Sequence, residues 1–403
     1  MSMKRALFIS LLAVVCQSVM AQFYTTQNFE HAIRFFNKPN ERREIILPTI
    51  DGYTLYKADF HTHTIYSDGD VTPRQRVREA WYDGLDIVAI TDHLEIRTYE
   101  KFMLKVLAPY NKTDEPFKYE HAGIANKEDK STPVLANLNA AYDEAVYYAE
   151  RENLPIMVVR GTEIWRNTKS IGEFNALFLS DINAICHADL FESFRRVKEQ
   201  GGLIMHNHPG YTRTTTDIAE GEQARAYAEG WIDGIEVINS TTLYPQTIRR
   251  CIERGLFVAA NTDAHKPTSQ VWSADRDFFR TMTFVMAKSC TEKDIKQALK
   301  SGRTIGYTAN NLVGEEQYLS KFINNAVTCH VIAKDSKKGT CTYSITNNCS
   351  VPFILRRGDS ISHLKPFTTL RFTFDKDKTP TFVVDNMWHA DEQHPTIEIA
   401  VDK

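Results

Sequence analysis

The sequence of 403 residues lacks an excess of charge of either sign and the signature motifs of several enzyme classes. It has 48 Lys and Arg against 51 Asp and Glu, a formal net charge of -3, so no overall basic field is available to hold duplex nucleic acid. Neither GxSxG nor GxxxxGK(S/T) occurs, which removes the main support for a serine hydrolase or a P-loop nucleotide triphosphatase. The hydrophobic share of 42% is that of an ordinary globular protein.

Long hydrophobic runs are also scarce, and the clearest one stands at the N-terminus. Lys4 and Arg5 precede an apolar run at residues 6–15, which is shorter than the ~20 residues of a spanning helix, and the segment ends at Ala21. This arrangement is typical of a secretory signal peptide over residues 1–21. We therefore expect an exported protein, in the periplasm or outside the cell, with no transmembrane segment in the mature chain.

Cysteine is infrequent, and no two of the seven cysteines form a CxxC pair. Cleavage of the signal peptide would remove Cys16 and leave six for an oxidising compartment. Cys329, Cys341 and Cys349 lie close together in the sequence. One disulfide among them and free buried thiols are both compatible with this spacing.

The hydrophobic pattern divides the remaining chain into two regions, after a lead-in segment of residues 22–54. Over residues 55–323 short apolar runs alternate with helical patterns, which predicts α/β structure with a mostly parallel sheet or barrel. A polar insert at residues 94–133 interrupts the alternation and is interpreted as a long loop or lid. Residues 324–403 contain short alternating runs separated by turn residues, which predicts a small all-β sandwich.

Histidines and carboxylates follow the predicted strands of the first region. His61 and His63 are two residues apart after the first strand, so both imidazoles can face one metal ion. SDG at 67–69 follows the same strand, and comparable groups end four later strands or follow them closely: TDH at 91–93, GTE at 161–163, NHPG at 207–210 and TDAH at 262–265. In a βα barrel these strand ends converge on one rim, where active sites lie.

The ordered motifs HTH, SDG, TDH, GTE, NHPG and TDAH resemble those of the PHP family, named for polymerase and histidinol phosphatase. The resemblance covers about residues 56–307 and implies a distorted (β/α)7 barrel that holds two or three divalent metal ions, Mn, Zn or Fe. With its signal peptide and C-terminal β-domain, the chain is most similar to exported bacterial PHP-type phosphodiesterases. A phosphomonoesterase for nucleotides or sugar phosphates, and a non-catalytic binding or adhesion protein, are the alternatives.

The resemblance also implies which residues bind the metals. One ion would be held by His61, His63, Glu163 and Asp263, a second by the shared Glu163 and His208, and a third by Asp68, His93 and His265. Where the family commonly has another histidine for the second ion, this sequence has Glu173, which is either a substitute ligand or a sign that this site is weak.

The expected reaction is attack on phosphorus by a hydroxide shared between two metals. Glu163, Asp263 and His208 are the predicted catalytic residues, through the metals that they hold. Arg97, Arg166 and His206 are the candidates for contact with a small-molecule phosphoester substrate, on chain proximity alone. No nucleic-acid partner is expected.

Overall fold

The computed structural model describes residues 42–97, 137–165, 171–211, 213–272 and 277–402, with the backbone alone at 117–118 and 135–136. The predicted signal peptide, most of the lead-in segment and most of the predicted loop at 94–133 lie outside the described residues. No helix within the described ranges has the length and apolar character needed to cross a membrane.

Strands and helices alternate through the first region. The strands are β1 (Thr54–Asp59), β2 (Ile87–Ile90), β3 (Phe117–Lys118), β4 (Leu135–Ala136), β5 (Met157–Trp165), β6 (Glu173–Leu177), β7 (Leu203–His206), β8 (Gly234–Asn239), β9 (Thr242–Leu243), β10 (Phe257–Asn261), β11 (Met282–Ala287), β12 (Thr304–Thr308) and β13 (Asn311–Gly314). The helices are α1 (Pro73–Tyr82), α2 (Ala140–Arg151), α3 (Leu190–Glu199), α4 (Glu222–Ala228), α5 (Gln246–Arg254), α6 (Glu292–Lys300) and α7 (Glu316–Ala326).

Local sequence explains these elements. All four residues of β2 are apolar and buried, as expected for a strand covered on both faces. Helix α1 begins with Pro73 at its first turn, and the Thr72 hydroxyl accepts a hydrogen bond from the Gln75 amide. Thr291 caps α6 in the same way, through the Asp294 amide.

One sheet runs in the order β10-β8-β7-β6-β5-β2-β1-β11-β12-β13, with β9 paired beside β8. It curls until β10 approaches β11 and β12, where threonine hydroxyls contribute to the closure. The Thr283 hydroxyl accepts from the Ala260 amide and donates to the Ala260 carbonyl, both at 2.9 Å, and Thr304 accepts from the Val258 amide at 3.0 Å. The result is a curled half-barrel.

The predicted α/β class is confirmed, whereas the distorted (β/α)7 barrel is not. Strand β6 is antiparallel to both of its neighbours, and β11, β12 and β13 form an antiparallel series. Apolar runs reveal strands but not their direction, which depends on connections that the pattern does not encode.

The C-terminal region is all β, as predicted. Its strands are β14 (Val327–Asp335), β15 (Thr340–Asn347), β16 (Phe353–Arg357), β17 (Ser360–Leu364), β18 (Thr369–Asp375), β19 (Thr381–Val384), β20 (Met387–Trp388) and β21 (Thr396–Glu398). They form a sheet β14-β15-β18 and a sheet β17-β16-β19-β21, while β20 joins the large sheet beside β13. Alternate residues of β15 are buried, which gives this strand one inward face.

The C-terminal sheets share a hydrophobic core with the curled sheet. Phe322 of α7 stacks on Phe284 of β11 at a centroid distance of 6.2 Å, and meets Phe353 of β16 edge-on at 6.3 Å. All three side chains are fully buried. The predicted boundary at residue 324 lies within α7, which packs against both parts.

The six cysteines of the described chain are all free thiols. Cys329, Cys341 and Cys349 are buried in the C-terminal region without a disulfide. This arrangement matches the second of the two alternatives left open by the sequence.

Candidate metal centre

The predicted ligands collect at one rim of the curled sheet because their strands point the same way. Strands β1, β2 and β5 are parallel neighbours, and so are β7, β8 and β10. His61 and His63 follow β1, His93 follows β2, and Glu163 lies near the end of β5. Glu173 reaches the same rim as the first residue of β6, because that strand runs in the opposite direction.

Four ligand atoms meet at the centre of this rim. His61 Nε2 and His63 Nε2 are 3.1 Å apart, and each lies 3.1 to 3.2 Å from Glu163 Oε2 and 3.2 Å from Asp263 Oδ1. Ligands bound to one ion at ~2.0–2.2 Å are separated by roughly 3–3.6 Å. The four atoms therefore fit a single cation.

The structure brings all nine predicted ligands together. Their side chains form four overlapping groups that could each hold an ion, namely His63, Asp68, His93 and His265; His61, His208 and Asp263; His61, His63 and Glu163; and His93, Glu163 and Glu173. His63 also belongs to the group that would hold the third ion, with Asp68, His93 and His265. Its ring stacks on that of His265 at a centroid distance of 4.2 Å. Metal binding by these residues remains a prediction, and neither the number nor the identity of the ions is established.

Two buried atoms support the fit to cations. Asp263 Oδ1 and His93 Nδ1 form no well-aligned hydrogen bond among the described residues, although the His61 and His63 nitrogens lie 3.2 Å from Asp263 Oδ1 and Glu163 Oε2 lies 3.4 Å from His93 Nδ1. A buried polar atom without a partner costs ~1–3 kcal/mol, more if charged. Divalent ions in the separate groups that contain these two residues would give each atom a partner and would balance the carboxylates.

The electrostatics of the site agree with a cation at its centre. Burial by itself lowers the pKa of His208, but Glu163 and Asp263 outweigh it and raise the pKa to about 9. Burial and the negative charge of Glu163 raise the pKa of Glu173 to about 7. Metal binding must therefore compete with protons at this cluster, and it should strengthen as the pH rises.

The backbone is strained at two predicted ligands. His208 has a φ of 23° and Asp263 a φ of 51°, values that residues other than glycine rarely adopt. Both are held by neighbours: the His208 amide donates to Glu236 Oε2 at 2.8 Å, and the Asp263 amide donates to the His61 carbonyl at 3.0 Å. Such strain, of order 1–3 kcal/mol per residue, is concentrated at functional sites.

Sequence reasoning missed the polar residues that orient these ligands. Glu236, buried in β8, places Oε1 3.2 Å from His61 Nδ1. A hydrogen bond from Nδ1–H to Glu236 would leave Nε2 free to bind a metal. Asn207 donates to Glu163 Oε1 at 2.6 Å. The sequence signal that could have pointed to Glu236 is that it is the one carboxylate in the otherwise mostly apolar strand Gly234–Asn239.

Comparison with known proteins places this site in a family. The PHP domain profile matches residues 59–241. A solved structure from Bacteroides vulgatus ATCC 8482, described as a two-domain protein containing predicted PHP-like metal-dependent phosphoesterase, is 30% identical and superposes with a TM-score of 0.75. The match covers 90% of this chain and 99% of that chain. The chain belongs to the PHP family.

A second relative is the uncharacterized protein MJ1295 of Methanocaldococcus jannaschii. It is 43% identical over 246 residues, which are 60% of this chain and 94% of that protein. These comparisons confirm the resemblance drawn from the motifs and support a metal-dependent phosphoester hydrolase. They leave the preference between diesters and monoesters open.

A cavity of about 540 Å³ opens beside the PHP ligands. Its remaining wall includes Trp165, His206, Tyr211, Arg213 and Gln223. Arg213 is the one arginine or lysine among the described lining residues. A cavity of this size holds more than a phosphoryl group, so it has room for a substituent of the substrate.

The three predicted substrate contacts have different positions. His206 lines the cavity, but its Nδ1 lies 2.7 Å from the Tyr227 hydroxyl, and burial lowers its pKa to about 3. Arg97 is buried and donates to the His93 carbonyl at 3.1 Å, and it is not among the cavity-lining residues that the structure describes. Arg166 lies outside the described residues.

Proposed function

We propose that this PHP protein is an exported metal-dependent phosphodiesterase that acts on a small-molecule phosphodiester. The convergence of nine histidine and carboxylate side chains, with a carboxylate at Glu173, is the observation that carries the proposal. Export is supported by the signal-peptide pattern of residues 1–21. The cavity beside the ligands is large enough for one arm of a diester.

The charge of the centre favours a diester over a monoester. Three divalent ions would face four carboxylates, those of Asp68, Glu163, Glu173 and Asp263, which leaves two positive charges. A histidine in place of Glu173 would leave three. A phosphodiester carries one negative charge and a monoester close to two, so the less positive centre suits the diester.

Divalent ions held here would activate a water and neutralise phosphoryl oxygens. The chain itself sets their positions, because Glu163 contacts ligands of both the predicted first and second ions. Its Oε2 lies 3.2 Å from His61 Nε2, and its Oε1 lies 3.4 Å from His208 Nε2. Glu173 Oε2 lies 3.6 Å from His208 Nε2, beside the predicted second ion, and Glu173 also lines the cavity. The extra oxygen ligand favours manganese or iron over zinc alone.

Replacing Glu173 by histidine should lower the ratio of diester to monoester turnover by about tenfold, because a charge beside the phosphoryl group is worth ~1–4 kcal/mol. Rates on bis(4-nitrophenyl) phosphate and 4-nitrophenyl phosphate, with metal content measured in parallel, check this expectation. Glu199→His, at an exposed glutamate of α3, is the control. Unchanged metal content together with an unchanged ratio would contradict the role of Glu173.

Arg213 is expected to bind an anionic or polar part of the substrate. Its Nη1 donates to the Asp217 carbonyl at 2.9 Å, and it forms no ion pair with a carboxylate of the described residues. Arg213→Gln should raise KM for a diester by about tenfold and change kcat less, because a hydrogen bond to a charged group contributes ~1.5–3 kcal/mol.

The control is Arg249→Gln, at an exposed arginine that pairs with Asp391 at 2.9 Å. Steady-state kinetics of both variants provide the comparison. A fall in kcat with constant KM would instead assign Arg213 to the reacting phosphoryl group.

A further inference from the structure

Arg76 of α1 is a fully buried arginine whose side chain reaches the main chain of two ligand-bearing loops. Its Nε and Nη2 donate to the His63 carbonyl at 3.1 and 2.8 Å. Nη2 also donates to the Ala264 carbonyl at 2.8 Å, and Nη1 to the Lys266 carbonyl at 3.2 Å. The remaining interaction of Nη1 is a short ion pair with Glu79, so every N–H of the guanidinium has a partner.

The two loops joined in this way carry predicted metal ligands. The first holds His61 and His63, and the second holds Asp263 and His265. The loops also contact each other directly: the His63 amide donates to the Ala264 carbonyl at 3.1 Å, the Asp263 amide to the His61 carbonyl at 3.0 Å and the Asp70 amide to the His265 carbonyl at 2.7 Å. Arg76 adds hydrogen bonds to three carbonyls of these loops, those of His63, Ala264 and Lys266.

Glu79 connects Arg76 to a further point of the second loop. Its Oε2 accepts from the Thr268 amide at 3.1 Å, while its Oε1 holds Arg76. The second loop is thus fixed at residues 264, 266 and 268, immediately after Asp263. Arg76 and Glu79 are one helical turn apart on α1, so a single rigid element anchors the loop.

A buried charge is costly unless it is paired and fully hydrogen-bonded. Arg76 also lies near a second buried arginine, Arg280, which pairs with Asp59. Apolar residues would fill this space with less electrostatic cost, but only the planar fork of a guanidinium donates to several carbonyls at fixed angles. The guanidinium of Arg76 therefore does more than fill space, because it holds carbonyls of both ligand-bearing loops.

We propose that Arg76 is a positioning residue for the metal centre: it sets the separation of the His61–His63 pair from Asp263 and His265, and so sets metal affinity. The inference rests on the metal centre of the proposed function but not on the choice of substrate. Residues that orient metal ligands typically change metal affinity by ~10–100-fold when replaced.

Two variants test this role. Arg76→Lys keeps the charge opposite Glu79 but loses the fork, and the double change Arg76→Met with Glu79→Met removes the ion pair altogether, a replacement that folded proteins often tolerate. The control is Arg74→Lys, also on α1, where Arg74 forms an exposed pair with Glu152 at 2.6 Å.

The readout is the affinity for Mn²⁺ and Co²⁺, measured by competition with a chelator, together with the visible absorption of bound Co²⁺ and the circular dichroism spectrum. Both Arg76 variants should keep the spectrum of the folded chain, bind the ions ~10–100-fold more weakly and change the Co²⁺ absorption. Arg74→Lys should match the wild type.

Folded Arg76 variants with wild-type affinity and absorption would overturn the proposal. So would a chain that does not fold with either replacement, because Arg76 would then act in folding alone. If the wild type itself binds neither ion, the metal centre fails, and the proposed function fails with it. Wild-type binding with no effect at Arg76 refutes only the positioning role.

Discussion

Glu163→Gln is expected to lower phosphoester turnover by more than about 100-fold and to release bound metal, an effect larger than that of residues which only orient ligands. The carboxylate is 1% exposed, and its Oε2 lies within 3.4 Å of nitrogens of His61, His63 and His93. Glutamine keeps the shape of the side chain but removes the charge that balances divalent ions. Turnover and metal content, measured on the same preparation, check the expectation.

Glu253→Gln, at an exposed glutamate of α5, is the matched control and should leave both quantities unchanged. Thermal melting after treatment with a chelator separates loss of metal from loss of fold. A Glu163→Gln protein that retains its metal and hydrolyses phosphoesters at the wild-type rate would contradict the role of Glu163 as a metal ligand.

Deletion of residues 327–403 is expected to prevent the rest of the chain from folding. The core contacts made by Phe322 with Phe284 and Phe353 extend from β11 to β16, and strand β20 pairs with β13. Removing the C-terminal sheets would expose one side of this core to water. Soluble yield and circular dichroism of the shortened chain provide the measurement.

A point substitution gives the same test in a graded form. Phe322→Ala should reduce the free energy of unfolding by ~3–5 kcal/mol, the usual cost of removing a buried phenylalanine. Phe367→Ala, at a phenylalanine that is 57% exposed in the C-terminal region, should change it by less than about 0.5 kcal/mol. A shortened chain that melts cooperatively and binds metal would show that the C-terminal sheets are dispensable for folding.

The convergence of the predicted ligands on one rim could be anticipated because its signal is local. His61 and His63 are two residues apart at the end of an apolar run, and His93 and His208 also follow such runs. Parallel neighbours then bring these ends to one rim. The position of Glu173 followed from the family resemblance, and the reversed direction of β6 explains how it reaches the rim.

The residues that support the ligands could not be predicted in this way. Glu236 lies within a buried strand and Arg76 in the middle of a helix, where neither stands in a motif. Their contacts are made over 175 residues from Glu236 to His61, and 188 from Arg76 to Ala264. Arg97, chosen on chain proximity, donates to the His93 carbonyl and is not among the described residues that line the cavity, so its contact with substrate stays a prediction.

The central claim is that the metal centre hydrolyses phosphodiesters in preference to monoesters. The most direct test is to express residues 22–403, load Mn²⁺ and measure the ratio of rates on bis(4-nitrophenyl) phosphate and 4-nitrophenyl phosphate. We expect a ratio well above one, lost on treatment with a chelator. A ratio well below one would make the protein a phosphomonoesterase, and no turnover of either ester would favour a non-catalytic binding protein.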